Sequence, residues 1–435
     1  MSEPVTTTNA LIEAIALKGE ELAELTLALS ALPDRSGYER PVAEAVERWL
    51  HDAGIDATLQ AISDTSANVI ARVGPARDPV PALILSSHLD TEGAIPEGDD
   101  EARRHLRGAW RDGDLLVGKG LVNDRTQVAA MLVALQALAR RTPALRRSVL
   151  FVGTAQECGA PLDPSARAGR EAGPHMAEGF GARWAIDRGA VARFALVGEP
   201  TGFAISGAQA GYLRVRITVP GFIPYTPFIE RGDGPLDTPN SLERSAEVVA
   251  RLARWARAYE LRERFEFWGG TVAPRAQVQD IRRIAPLFTQ ADDPCDVFVD
   301  IRTAPGRDDL ALLGELGDLL ADLPFACSIA PYDRKRGYVA DGAEPLVAAV
   351  ERAHRRIFGG PSPRPRDPQV SMWHDTNAFN EVGIPAVSYG IAPQPETFTR
   401  ERIRSARVED LVRLAQVYAL AALELAGDDT GGDRD

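Results

Sequence analysis

Cysteine is scarce. Three residues, Cys158, Cys295 and Cys327, occur in 435, an odd number with no CxxC spacing, which argues against a disulfide framework and a thiolate metal site. No uninterrupted apolar run approaches the ~20 residues of a membrane span. The opening MSEPVTTTNALIEA has no basic stretch ahead of an apolar one, so no secretory signal is visible. Positive charge is in deficit, Lys+Arg 49 against Asp+Glu 62 for a net −13, which disfavours a phosphate-binding surface and so a nucleic-acid partner. The expectation is a cytoplasmic protein with neither membrane nor nucleic acid as partner.

What is present is ordinary globular material: 45% hydrophobic and 26% charged residues, enough at this length for two or three domains. Four short apolar runs each lie beside a residue able to do chemistry. They are ALILSS before His88, VLFVGTA before Gln156 and Glu157, FALVG before Glu199, and IPAVSYG after Asp375. Val128, Met131, Leu132, Leu135 and Leu138 recur at helical spacing just after Asp124. Apolar strands alternating with amphipathic helices predict an α/β fold with a mainly parallel sheet, whose ligands collect at the carboxyl ends of strands.

From Ala208 the pattern changes. Leu213, Val215, Ile217 and Val219 alternate with Tyr212, Arg214, Arg216 and Thr218, which predicts a half-exposed strand. A helix with Leu242, Val249, Leu252 and Ala256, a strand from Cys295 to Ile301 and a helix around Leu312–Leu323 follow. This predicts an inserted α+β unit of strand-helix-strand-helix type over 208–331, between two parts of the larger domain, 1–207 and 332–435.

His88 and Asp90 form an H-x-D pair at a strand end, suited to presenting an imidazole to a metal while the carboxylate orients its other nitrogen. Asp124, Glu157 and Glu199 follow, each after an apolar segment where an unpaired carboxylate would be costly. Singly, such acids also serve as helix caps; in this order they point to a metal. His51, His354, His105 and His175 read as solvated. His374, beside Asp375 and ahead of a core strand, is a hydrogen-bonded loop histidine or a catalytic one.

The segments SSHLDT, DGDLLVGKGLVNDR, GTAQECG, VGEPT, DVFVDIRTAP and HDTNAFNEVGIPAVSYG resemble, in that order, the co-catalytic zinc hydrolases that include aminoacylase, acetylornithine deacetylase and glutamate carboxypeptidase, peptidase family M-twenty. The resemblance implies one metal held by His88, Asp124 and Glu199. It implies a second held by Asp124, Glu157 and a histidine near Thr397, where this chain has none. It also places Gln156 where the family has a glutamate as general base, and Tyr225 where it has a histidine lent across a dimer. An amide cannot take up that proton. Glu157 or His374 then stand as replacement bases and Tyr225 as a hydrogen-bond donor.

The resemblance implies a hydrolase of C–N bonds in a small carboxylate-bearing molecule, with altered chemistry, that works as a homodimer or higher homo-oligomer. One imidazole with several carboxylates makes Mn²⁺ a competitor to Zn²⁺, with Co²⁺ a further option, in one or two ions. Two other readings stay open: an aminohydrolase resembling nitroanthranilate aminohydrolase, and a non-catalytic member that binds a ligand or partner.

Overall fold

The computed structural model describes residues 3–33, 35–91, 108–140, 145–158, 176–234, 236–283, 293–392 and 403–427. Its central sheet contains β1 (Ala57–Ala61), β2 (Ala67–Val73), β3 (Leu83–His88), β4 (Val149–Thr154), β5 (Phe194–Val197) and the late strand Ala386–Ser388. The spatial order is β1-β2-β4-β3-β5 and then Ala386–Ser388. The last four of these run parallel, while β1 with β2 and β2 with β4 are antiparallel. All four predicted apolar runs form strands, and both faces are covered. Leu83 and Leu85 enter the main core with Val128–Leu138 and Leu411–Ala422, while Ile84 joins Ala185, Phe379 and Ile384 opposite. Burial on both faces is why these runs are continuous rather than alternating.

The parallel register sets the site. His88 pairs with Thr154 at the ends of β3 and β4, and Ser86 pairs with Val197 at the end of β5. Residues just beyond these ends therefore emerge together at one edge.

The second sheet is antiparallel, with β6 (Gly211–Val219), β7 (Ala276–Arg283), β8 (Cys295–Thr303) and β9 (Ser328–Lys335) in the order β7-β8-β6-β9. Helices Ser241–Arg262 and Asp309–Leu320 cover one face, with Leu213, Val215, Ile217 and Val219 packed on Val248, Leu252, Trp255 and Leu312. Asn240 caps the first helix, its side chain accepting from Leu242 N at 2.9 Å.

Three expectations are corrected here. The unit's sheet has two further strands, β7 and β9, and a separate hairpin pairs Phe265–Phe267 with Gly270–Val272, so the unit exceeds a strand-helix-strand-helix pattern and extends past 331 to Lys335. β7 and β9 are edge strands, rich in charge and, in β9, carrying Pro331, which hides them from a hydrophobic alternation test. Tyr212 and Arg214 are not a solvated face: they are 0% and 6% exposed. Leu242, placed on the buried stripe, is exposed.

Two chain passes connect the units, and they pair with each other, Ala208 with Val339 and Gln209 with Tyr338. One amide clasps both: Asn377 Nδ2 donates to Ala210 O at 3.1 Å and its Oδ1 accepts from Tyr338 N at 3.0 Å. Arg214 adds a charged tie, donating to Asp300 and Asp333 of its own unit and to Glu178 of the larger one at 3.0 Å. No helix among the described residues is long and apolar enough to cross a membrane.

Candidate metal centre

His88 ends β3 and is buried. Its Nδ1 lies 2.8 Å from the backbone oxygen of Asp90, an acceptor that takes the Nδ1 proton and turns Nε2 inward. The orienting group is thus the Asp90 carbonyl; the carboxylate expected in that role stands 3.5 Å from Nδ1. Nε2 faces Asn123 Oδ1 at 2.9 Å, Asp124 Oδ2 at 3.5 Å and Glu157 Oε2 at 3.9 Å. One donor atom each from His88, Asp124 and Glu199 lies within 4.8 Å of the others, and His88, Glu157 and Cys158 form a second such group.

Each acid reaches the cluster from a different strand end. Asp124 belongs to the turn Leu121–Arg125 ahead of helix Thr126–Ala139, and its two oxygens accept from Ser87 Oγ at 3.1 Å and Gln127 Nε2 at 2.6 Å. Glu199 follows β5, and Glu157 follows β4. The turn after β4 holds its shape without strand pairing, because side chains take four successive amides. Ala155 N donates to Asn68 Oδ1 at 2.9 Å, Gln156 N to Glu39 Oε1 at 3.2 Å, Glu157 N to Asp90 Oδ1 at 3.1 Å, and Cys158 N to Asp90 Oδ2 at 2.8 Å.

Electrostatics identify the kind of ligand that fits. Asp90, Asp124, Glu157, Glu199 and Asp375 are all buried. Burial pushes Asp124 and Asp375 up to about 6. It raises Glu157 well above the carboxylate range with Asp375 and Asp90 adding repulsion, and Glu199 likewise with Asp124 and Glu157 adding to it. Burial alone would lower His88, but Asp124 and Cys158 raise it on balance. Glu199 Oε1, His374 Nδ1 and Asp375 Oδ1 have no hydrogen-bond partner among the described residues. Buried acids that repel one another, with unmatched oxygen and nitrogen donors among them, are the environment a divalent cation satisfies.

The other predicted residues fall into two groups. His374 is in the cluster's wall, its Nε2 3.8 Å from Glu199 Oε2, and burial lowers it to about 3, so the ring is neutral. Gln156 is buried but turned into the protein, its Nε2 donating to Ser66 Oγ at 3.0 Å and its Oε1 accepting from Met176 N at 2.7 Å. Tyr225 stands apart from the buried cluster, 55% exposed, with its ring 6.0 Å from that of Phe228. The position near Thr397, His105 and His175 lie outside the described residues. His51 is exposed as expected. His354 is a correction: it is buried, bonded to Tyr389 Oη at 2.7 Å and stacked on Phe358, because its helix packs under the C-terminal one.

Two residues escaped sequence reasoning. Asn123 is uncharged and so was passed over beside Asp124. Asp375, with Thr154 Oγ1 donating to it at 2.7 Å, stands beside one of the apolar runs in the sequence but without a place in the metal cluster.

The sequence pattern that defines peptidase family M20/M25/M40 matches residues 84–424. The chain belongs to this family. It is accordingly a hydrolase of C–N bonds. Among curated members, succinyl-diaminopimelate desuccinylase of Corynebacterium glutamicum is 23% identical over 405 residues, covering 90% of this chain and 94% of that protein. A putative succinyl-diaminopimelate desuccinylase of Mycobacterium tuberculosis is 26% identical over 378 residues, covering 86% and 90%. Among solved structures, a Staphylococcus aureus tripeptidase superposes with TM-score 0.67 at 14% identity, covering 94% of this chain and 99% of that one. A Bacillus subtilis dinuclear metal-binding peptidase of the M20 family gives 0.64 at 14%, covering 94% and 99%. These likenesses establish a shared fold.

Proposed function

We propose that this family member cleaves a C–N bond in a small carboxylate-bearing molecule, with a divalent cation held by His88 Nε2, Asp124 and Glu199 and with Asn123 Oδ1 and Glu157 beside them. The supporting observation is the knot of buried, mutually repelling carboxyls around a single inward-facing imidazole nitrogen. One imidazole and several oxygens suit Mn²⁺ or Zn²⁺, with Co²⁺ as a further option. Such a cation, when bound, polarises the scissile group and acidifies the attacking water.

The chain's own groups supply the rest. Glu157, with Oε2 3.9 Å from His88 Nε2, takes the proton of the attacking water and returns it to the leaving nitrogen. Neutral His374, whose Nε2 lies 3.8 Å from Glu199 Oε2, offers a hydrogen bond at the reacting centre. Asp90 keeps both His88 and Glu157 in place. Carboxylate recognition is carried over from the desuccinylase relatives, and homodimerisation through the smaller unit draws on its exposed Phe222, Tyr225 and Phe228.

The test is metal analysis of purified protein together with a screen of N-succinyl and N-acyl amino acids, dipeptides and aminobenzoates. Stoichiometric metal and a turnover abolished by His88→Ala are expected. A protein that takes up neither Mn²⁺ nor Zn²⁺, and whose melting ignores chelator, would refute the reading. Bound metal with no turnover on any of these would favour the binding-protein alternative.

A further inference from the structure

The imidazole of His374 is placed by the chain that carries it. Its Nδ1 has no hydrogen-bond partner among the described residues, and its Nε2 stands 3.8 Å from Glu199 Oε2, beyond hydrogen-bond reach. The backbone is fastened differently on the two sides of the ring. After His374 it belongs to the larger domain: Thr154 Oγ1 donates to Asp375 at 2.7 Å, and Asn377 N donates to His374 O at 3.0 Å as the helix Thr376–Glu381 begins.

Before His374 the chain is held from the smaller unit. The buried hydroxyl of Ser371 accepts from Ala273 N at 2.9 Å and donates to Asp367 Oδ1 at 2.9 Å. Asp367 in turn takes both arms of the Arg275 guanidinium, at 3.3 and 2.9 Å. A carboxylate so paired can only accept, so the Ser371 proton points to it and the hydroxyl oxygen is left for the Ala273 amide. Ala273 and Arg275 both lie on the stretch between the hairpin and β7. Two residues separate Ser371 from His374. The second, Trp373, is buried where a Cβ at Gly179 would lie 2.0 Å from its ring and where the Tyr212 ring of β6 meets it edge-on at 6.5 Å. A displacement at position 371 therefore reaches position 374 through packed atoms.

We propose that Ser371 is a positioning residue for His374: its hydroxyl, braced by Asp367 and Arg275, fastens the chain ahead of the imidazole to the smaller unit, which thereby sets where the ring stands over the metal centre. This rests on the role given to His374 above and names what holds that ring in place.

The experiment is a cycle of the unaltered protein, Ser371→Ala, His374→Gln and the double variant, followed by kcat and KM on the best substrate found, by calorimetric titration with Mn²⁺ and by melting temperature. Ser371→Ala is expected to lower kcat ~10–100-fold, the scale set by a misplaced reacting group. Its Mn²⁺ affinity should stay within about threefold, because the hydroxyl supports no proposed ligand of the cation. In the His374→Gln background the same change should alter kcat less than about threefold, a coupling that independent sites lack, while the loss in melting temperature is the same in both backgrounds. Should Ser371→Ala not fold, Arg275→Ala, at a half-exposed position, is expected to repeat the pattern with a smaller loss of kcat.

An equal loss of kcat in both backgrounds would overturn the inference, since a merely structural hydroxyl acts with or without the ring, and so would an unchanged kcat in Ser371→Ala. If His374→Gln leaves kcat untouched, or if no substrate is turned over, the role given to His374 fails instead. Carbon NMR of the histidine Cε1 positions in the metal-free protein then decides the role of Ser371. Ser371→Ala should shift or broaden the His374 signal, assigned by its loss in His374→Gln, and leave that of His354 in place; an unmoved His374 signal overturns the inference.

Discussion

Stripping the metal should cost this protein more stability at neutral pH than in mild acid. Asp124 and Asp375, both buried, are held at about 6 against an ordinary 3.8. The folded metal-free protein therefore keeps protons that the unfolded chain releases between pH ~4 and ~6, and its stability falls as pH rises through that window. Glu157 and Glu199, also raised by burial, and His88, raised above its ordinary value by Asp124 and Cys158, act in the same direction. At ~1.4 kcal/mol per pH unit, the two aspartates alone carry a penalty with a ceiling on the order of 6 kcal/mol, approached above pH 6. A divalent cation removes that penalty by compensating the charges. For 435 residues, unfolding as one unit at ~2.1 cal/mol/K per residue, each kcal/mol moves Tm by about 1 °C. About half of the penalty is already present at pH 5, so the gap between metal-loaded and chelator-treated protein should be ~3 °C wider at pH 7.5 than at pH 5, read by scanning calorimetry with excess Mn²⁺ or EDTA. A gap that is equal at the two pH values, or wider in acid, would contradict the placement of a cation among these carboxyls.

Asp90→Asn should keep one amide bond to the Glu157 turn but put an NH₂ where the second amide donates, weakening Mn²⁺ binding ~10–100-fold; unchanged affinity in a calorimetric titration would count against its supporting role. Glu178→Ala leaves Arg214 with two of its three carboxylates and should cost ~1–3 kcal/mol, seen as a lower urea midpoint; no change would mean the tie between the units carries no load. Gly181→Ala drives a methyl into Ala155 O and should cost ~1–3 kcal/mol while loosening metal binding, and a variant with the melting temperature of the parent would refute the close packing.

The sheet was legible because its strands are buried on both faces, so Leu83–Leu85 and Val149–Val152 stand out as apolar runs whatever their partners. The edge strands β7 and β9 were not, since edges are populated by Gln, Asp, Arg and Pro, residues that a hydrophobic test scores as loop. Tyr212 and Arg214 failed for a related reason. Alternation reports that one face differs from the other, and it cannot see that Glu178 and Trp373 cover the polar one. In the cluster, acids and imidazoles announced themselves by type. Asn123 did not, because an amide gains meaning only from standing 2.9 Å from His88 Nε2. The inward turn of Gln156 depends on Ser66 and Met176, far away in sequence, and no local pattern encodes it.

The pairing of the two inter-unit passes has a mechanical consequence. Strands bonded to each other and gripped by one asparagine behave as a single flexure, so the halves can swing about one line but resist shear and twist. Asn377 lies on that line, only three positions from His374, so a swing about it would pivot beside the ring we propose for the reacting centre. A crosslink between residues flanking the flexure would freeze that swing.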